Sequence, residues 1–267
     1  MIGLFLGDTD FSEIVLKKII KLHKKYFIID FSKNNKFKKN KNSNRISIGK
    51  FGKIINLIKE KKSSRVLFAG KIAKPKFSSL RLDFKGIYYM PSVIKAAKLG
   101  DAAIIKAIIK ILEKEKIKVI SSNFFNPELS LNAGNYTKLK PTSKDIKSIN
   151  KGVDYLNKLN NLDHVQALIL KDNKVIATEG SQGTKKMLSK LKKASEGILI
   201  KLPKKKQDLR MDLPTIGLNT LKDCKKHGLK GIVLKSKKNI FLDKDKCIKF
   251  ADKNKIFIKI IWRKFLF

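Results

Sequence analysis

Apolar and polar positions along the chain follow two rhythms, and their alternation sets out the first elements. Ile2–Leu6 is an unbroken apolar run of strand length, followed by the turn Gly7-Asp8-Thr9-Asp10. Phe11, Ile14, Val15, Ile19 and Leu22 then recur at helical spacing. Asp10 and Glu13 stand three apart at the start of that helix, the spacing of a capping box. Tyr26–Phe31 is a second apolar run. Strand, helix and strand in this order predict a βαβ unit and a parallel sheet.

The polar stretch Ser32–Asn44 reads as loop. Phe51, Ile54, Ile55 and Ile58 mark another helix, and Arg65–Ala69 a strand ending in Gly70-Lys71. Asp101–Lys116 is the clearest helix, with Ile104, Ile105, Ile108, Ile109 and Leu112 on one broad face, and Ile117–Ser121 is a strand after it. Pro127–Pro141 holds two prolines, a glycine and two asparagines, and has little periodicity. The expectation is a Rossmann-like α/β domain over 1–130, a linker over 131–142 and a second α/β domain over 143–267. In the second domain Ser143–Leu159 and Gly183–Lys193 read as helices, and His164–Leu170, Val175–Thr178 and Gly197–Leu202 as strands. A helix over Leu218–Lys226, strands near Ile232 and Ile240, a helix near Asp245 and a last strand from Ile256 complete the pattern.

Composition narrows the class. The 267 residues are 42% hydrophobic, enough for one large core or two modest ones, and no apolar run approaches bilayer-spanning length. The N-terminus lacks the basic region of a secretory signal, so a cytoplasmic location is expected. Cys224 and Cys247 are too few for a disulfide scaffold or a cysteine zinc site. Lys and Arg number 62 against 22 Asp and Glu, a net charge of +40, yet only five of the basic residues are Arg. Nucleic-acid binders concentrate Arg and aromatics in a stripe. Here Lys is spread throughout, so the charge reads either as a solvated compositional surface or as a general attraction to anions, anionic lipid included.

Candidate chemistry sits in loops. There is no P-loop around Gly70-Lys71, no three-glycine dinucleotide fingerprint and no metalloprotease or serine-hydrolase motif; His23, His164 and His227 are scattered. The informative stretch is Gln207-Asp208-Leu209-Arg210-Met211-Asp212-Leu213-Pro214-Thr215-Ile216-Gly217. Two carboxylates four apart can bind one hard cation, and an arginine between them can grip a phosphate. A surface Asp–Arg–Asp pairing with a helix starting at Thr215 fits the same residues. Glu179 to Thr184 lies between a predicted strand and helix, Ala69-Gly70-Lys71 ends a strand, and Gly100-Asp101 starts a helix. Each is equally an ordinary turn, a solvated lysine or a cap. Open α/β sheets bind ligands at such strand ends, so several such loops point to a cleft between two domains.

The same motifs resemble the LpxI-type UDP-2,3-diacylglucosamine pyrophosphatases of Gram-negative lipid A biosynthesis. The resemblance runs along nearly the whole chain. It is strongest at QDLRMDLPTIG (Gln207–Gly217), at QALIL with ATEG and GT (Gln166–Thr184) and at GLKGIVL (Gly228–Leu234). It is looser at FAGKIAKP (Phe68–Pro75), SLRLD (Ser79–Asp83) and GDAAIIKAI (Gly100–Ile108). It implies two α/β domains with the lipid substrate between them. It further implies magnesium-dependent hydrolysis (manganese also suits oxygen ligands) to UMP and 2,3-diacylglucosamine 1-phosphate. By resemblance, Asp208 and Asp212 hold the metal and Arg210 neutralises phosphate charge. Gln166, Glu179, Gly183, Thr184 and Gln207 line the substrate from the second domain; Gly7, Asp8, Thr9, Gly70, Lys71 and Asp101 do so from the first. The chain departs from the family pattern at Ala102, Gln182 and Lys185, where acids are usual. A homodimer and peripheral contact with the inner membrane are implied partners, with no specific nucleic acid. At the membrane, the C-terminal Ile260–Phe267 pairs aromatics with Arg263 and Lys264. Two other functions fit the same sequence: a noncatalytic nucleotide–lipid carrier on the same scaffold, and a basic nucleic-acid-binding protein.

Overall fold

A computed structural model describes residues 1–73, 75–159, 165–180, 182–191, 196–204 and 208–262. The chain is a mixed α/β protein of two compact units. The first comprises Met1–Pro127 together with Asp208–Asp212, the second Glu128–Gln207 together with Leu213–Phe267. The catalytic-loop candidate, expected within the C-terminal domain, thus groups with the first unit.

The first unit runs β1 (Ile2–Leu6), α1 (Asp10–Lys21), β2 (Tyr26–Asp30), β3 (Ser43–Asn44), α2 (Phe51–Glu60), β4 (Arg65–Ala69), α3 (Phe84–Lys98), α4 (Asp101–Lys114) and β5 (Lys118–Val119). The five strands form one wholly parallel sheet in the order β3-β2-β1-β4-β5. Every residue of β1 is buried, as a parallel sheet covered on both faces requires. Helix α2 contributes Phe51, Ile54, Ile55 and Ile58 to the core, and α4 contributes Ile109, Ile111 and Leu112. The expected capping box at α1 does not form. Thr9 is the N-cap residue, with no side-chain cap, and Glu13 instead pairs with Lys36 at 2.7 Å, which holds its carboxyl below the ordinary range.

The second unit runs β6 (Gly134–Asn135), α5 (Ser143–Leu159), β7 (Ala167–Lys171), β8 (Lys174–Thr178), α6 (Thr184–Ser189), β9 (Gly197–Lys201), β10 (Thr215–Ile216), α7 (Leu218–Lys226), β11 (Leu229–Lys235), β12 (Ile240–Phe241), α8 (Lys244–Lys253) and β13 (Phe257–Ile261). Its main sheet has the order β6-β13-β11-β9-β7-β8. The central β13, β11 and β9 are parallel, while β6, β7 and β8 are antiparallel to their neighbours. One core packs Ile169, Leu199, Ile232 and Ile258 against α7 and α8; the other packs Ile149 and Val153 of α5 against Leu168 and Ile200.

The stretch expected to be a linker, 131–142, is part of this unit. Lys259 and Ile260 pair with Asn135 and Gly134, Leu131 is 3% exposed, and the Asn239 side chain bonds both the Leu131 N–H and its carbonyl. A short strand without periodicity is anchored here by its neighbours. Cys224 and Cys247 are both free and buried. Among the described residues no helix is long and apolar enough to cross a membrane.

Candidate functional site

In the first sheet the chain leaves β1 for β2 on one side and later reaches β4 on the other. The boundary between β1 and β4 is therefore the topological switch point, where open α/β sheets bind ligands. Gly7, Asp8 and Thr9 follow β1 there, and Gly70 and Lys71 follow β4. The two loops are joined by hydrogen bonds. Gly7 N–H donates to the Ala69 carbonyl and Asp8 N–H to that of Lys71, each at 2.9 Å. The Ser12 hydroxyl is shared between the carbonyls of Gly7 and Ala69 at 2.9 and 2.8 Å. A Cβ on Gly7 would lie 2.3 Å from the Lys71 carbonyl oxygen. Gly70 has φ +83°, and a Cβ there would lie 2.0 Å from Ser12 Oγ. Both positions exclude side chains for packing reasons alone. The Asp8 carboxylate accepts from Lys33 N–H at 2.7 Å. The Lys71 side chain is exposed, with no hydrogen bond or ion pair among the described residues.

Dinucleotide-binding folds use an acid after the second strand to bind ribose. Here Asp30 ends β2, fully buried and already engaged. It accepts from Ser32 N–H and Oγ and from Phe37 N–H, and its carbonyl accepts from Arg45. This agrees with the missing glycine fingerprint.

Asp101 opens α4 after Gly100, whose φ is +111°, and lies exposed. The same helix carries Glu113, which sequence reasoning missed. The loop Asp208–Asp212 belongs to this unit, with Met211 packed on its apolar core. Met211 and Asp212 N–H groups donate to the Asp208 carbonyl at 3.1 and 3.0 Å, closing a tight turn. Within that turn the Asp208 carboxylate grips Arg210 by two atoms, taking Nε at 3.0 Å and Nη2 at 2.8 Å, and it also accepts Arg210 N–H at 3.0 Å. Glu113 accepts Nη1 from the other side at 2.8 Å. Hydrogen bonding from Arg210 holds the Asp208 carboxyl below its ordinary value; Asp208, then Glu113, push the guanidinium further above its own. A guanidinium has five N–H donors. These bonds engage three; among the described residues one N–H on each Nη has no acceptor.

Both Asp208 oxygens accept from Arg210, and a carboxylate has acceptor sites beyond those two bonds. Asp212 is half-buried and its carboxylate carries no hydrogen bond or ion pair among the described residues. Among these residues, too, no three His, Cys, Asp or Glu side chains gather as a metal cage. One free carboxylate fits Mg²⁺ in its common mode, in which substrate phosphates and waters complete the shell. The expected alternative of a helix starting at Thr215 is not found; Thr215–Ile216 is β10 and α7 begins at Leu218.

The second unit brings another set of candidates together. β7 and β8 form a hairpin whose turn residues, Asp172 and Asn173, both have positive φ, as a two-residue hairpin demands. The amino end of β7, the exit of β8 and the carboxyl end of β9 therefore share one edge of the sheet. Glu179 lies there, 3% exposed. It accepts Gln166 N–H at 3.0 Å and the Thr184 hydroxyl at 2.6 Å. Gly183, with φ +84°, supplies the left-handed N-cap of α6. The side-chain Oε1 of Gln166 is buried without a partner among the described residues. Lys201, also missed from the sequence, ends β9 only 8% exposed, in register with Ala167. Gln207 and the tail 263–267 lie outside the described residues.

A Rossmann-like unit with joined loops at its switch point and a second α/β unit with a mixed sheet define the class: a two-unit α/β protein, with an arginine clamped by two carboxylates in its first unit. The LpxI N-terminal domain model matches residues 1–129 and the LpxI C-terminal domain model residues 132–259. The chain belongs to the LpxI family. It is 31% identical over 223 residues to UDP-2,3-diacylglucosamine pyrophosphatase LpxI of Caulobacter vibrioides, covering 80% of each chain.

Proposed function

We propose that this protein hydrolyses the diphosphate of UDP-2,3-diacylglucosamine, giving UMP and 2,3-diacylglucosamine 1-phosphate. Water adds to one phosphorus, and the bond from that phosphorus to the bridging oxygen breaks. The reading is supported by the named relative. Within the chain, the observation that carries it is the Arg210 guanidinium, held by Asp208 and Glu113 with two donors still free. Such a fork is oriented before substrate arrives and is matched to phosphate oxygens. It stabilises charge on the diphosphate as the leaving oxygen becomes an anion.

Asp212, the free carboxylate of the loop, orients the attacking water and would hold Mg²⁺ jointly with the diphosphate. When bound, the cation supplies charge neutralisation at the phosphate oxygens. Glu179 positions Gln166 and Thr184, and the unpartnered Gln166 Oε1 is an acceptor for a donor of the nucleotide or sugar. The proposed place of work is the cytoplasmic side of the inner membrane.

The test is UMP release from UDP-2,3-diacylglucosamine with Mg²⁺, with EDTA and with Asp212→Asn. Metal-dependent release that falls at least about a hundredfold in the variant is expected. Substrate binding without release by the wild-type protein would support a carrier instead.

A further inference from the structure

The first unit carries an apolar helix face that its own core does not use. Helix α3, 15 residues and about 22 Å long, buries Gly86, Met90 and Val93. On the other side Phe84 is 88% exposed, Ile87 62% and Tyr88 72%; Pro91 and Ile94 are exposed as well, and Leu99 just beyond the end is 68% exposed. Positions 84, 87, 88, 91 and 94 stand three or four apart around the helix, so they form a single stripe. Lone exposed apolar residues are ordinary, but a contiguous stripe marks an interaction surface.

Charge identifies the occupant. Arg81 lies just before the helix, and Lys95 and Lys98 lie in its last turn. All three are exposed and none has an ion pair among the described residues. The only acid between residues 76 and 100 is Asp83. Its carboxylate caps two helices at once, accepting from Gly86 N–H at 2.8 Å and from Gly52 and Lys53 N–H at 3.1 and 3.0 Å. Burial opposes its charge, yet these three donors hold its carboxyl below the usual range. Cations therefore mark both ends of the stripe, Arg81 before it and Lys95 and Lys98 continuing the same face four residues after Pro91 and Ile94, while the exposed acid Asp101 follows at the start of α4. A second copy of this chain, itself +40, would bring the same basic rim against it. An anionic bilayer offers the complement: apolar depth for the aromatics and phosphates for the rim.

We propose that α3 is the face by which this protein docks on an anionic lipid bilayer, with the helix lying along the surface. Phe84, Ile87, Tyr88 and Leu99 enter the headgroup boundary, and Arg81, Lys95 and Lys98 meet lipid phosphates. The proposal is independent of the hydrolase reading, since its assay contains no nucleotide substrate.

The test is cosedimentation of the full chain with vesicles of phosphatidylcholine, with and without phosphatidylglycerol. It is run at low salt and at about 0.5 M salt, where the screening length falls to about 4 Å. The wild-type chain is expected to bind the anionic vesicles and to keep part of that binding at high salt. Phe84→Asp/Ile87→Asp is expected to bind at least about tenfold more weakly at both salts, with an unchanged circular dichroism spectrum. Lys95→Gln/Lys98→Gln is expected to weaken binding at low salt only. Three results would overturn the proposal. They are no vesicle binding by the wild-type chain, equal binding by the apolar variant, or a wild-type dimer that Phe84→Asp/Ile87→Asp dissolves while vesicle binding stays the same.

Discussion

Glu179 and Asp208 are both acids at strand-end loops, and they are bonded in opposite ways. Glu179 is 3% exposed and gives its oxygens to a backbone N–H and a hydroxyl. Asp208 gives its oxygens to a guanidinium whose side chain is 39% exposed. A buried carboxylate with uncharged donors fixes the positions of its neighbours. A carboxylate on an open arginine fixes a charge and leaves part of it available. On the proposed function, two carboxylates of similar appearance in the sequence have different tasks: one holds its neighbours in place, the other orients a guanidinium toward phosphate.

That contrast can be broken by substitution. The largest expected effect is Arg210→Lys, which keeps the charge and loses the fork. kcat/KM for UMP release should fall about 10²–10³-fold, with the melting temperature nearly unchanged. A large drop in melting temperature would make Asp208–Arg210 a structural pair like Glu179. Next comes Glu179→Ala, which leaves Gln166 N–H and the Thr184 hydroxyl unpaired. Thermal or urea unfolding should show a loss of about 1–3 kcal/mol. No loss of stability, with activity abolished, would move Glu179 from support to chemistry.

The smallest effect concerns a third acid, Glu115, which bonds Lys85, Lys59 and Tyr89. Burial opposes its charge, but these partners bring its carboxyl down from 4.5 to about 2. Its folded value lies below its unfolded one, so the stabilisation is complete above the ordinary carboxylate range and drains away as pH falls toward about 2. Glu115→Gln should cost about 1–2 kcal/mol at neutral pH and flatten the acid limb of the unfolding curve, leaving UMP release at neutral pH intact.

The parts of the fold that sequence made legible are those with one rhythm and one partner surface. β1, β2 and β4 are continuous apolar runs because both faces of a parallel sheet are covered, and α4 shows its apolar face plainly. Helix α3 escaped because its outward side carries Phe84, Ile87, Tyr88 and Ile94 and because Pro91 lies in its interior. Its pattern answers to something outside the unit's core. β6 escaped because two residues hold their place only through β13.

At the candidate site, the loop 207–217 and the Gln166–Thr184 stretch were legible as clusters of unusual residues. The partners of those residues were not. Glu113 meets Arg210 from 97 positions away, and no local spacing announces it. The bidentate bond from Arg210 to Asp208, two residues along the same turn, was not legible either, because it depends on the turn's fold and not on residue spacing.

The most direct test of the central claim compares initial rates of UMP release from UDP-2,3-diacylglucosamine by the wild-type chain and by Arg210→Lys, at equal folded concentration. Metal-dependent turnover by the wild type, reduced about a hundredfold or more in a variant that melts normally, is the result expected for a pre-oriented phosphate fork. Equal rates in the two proteins would contradict it.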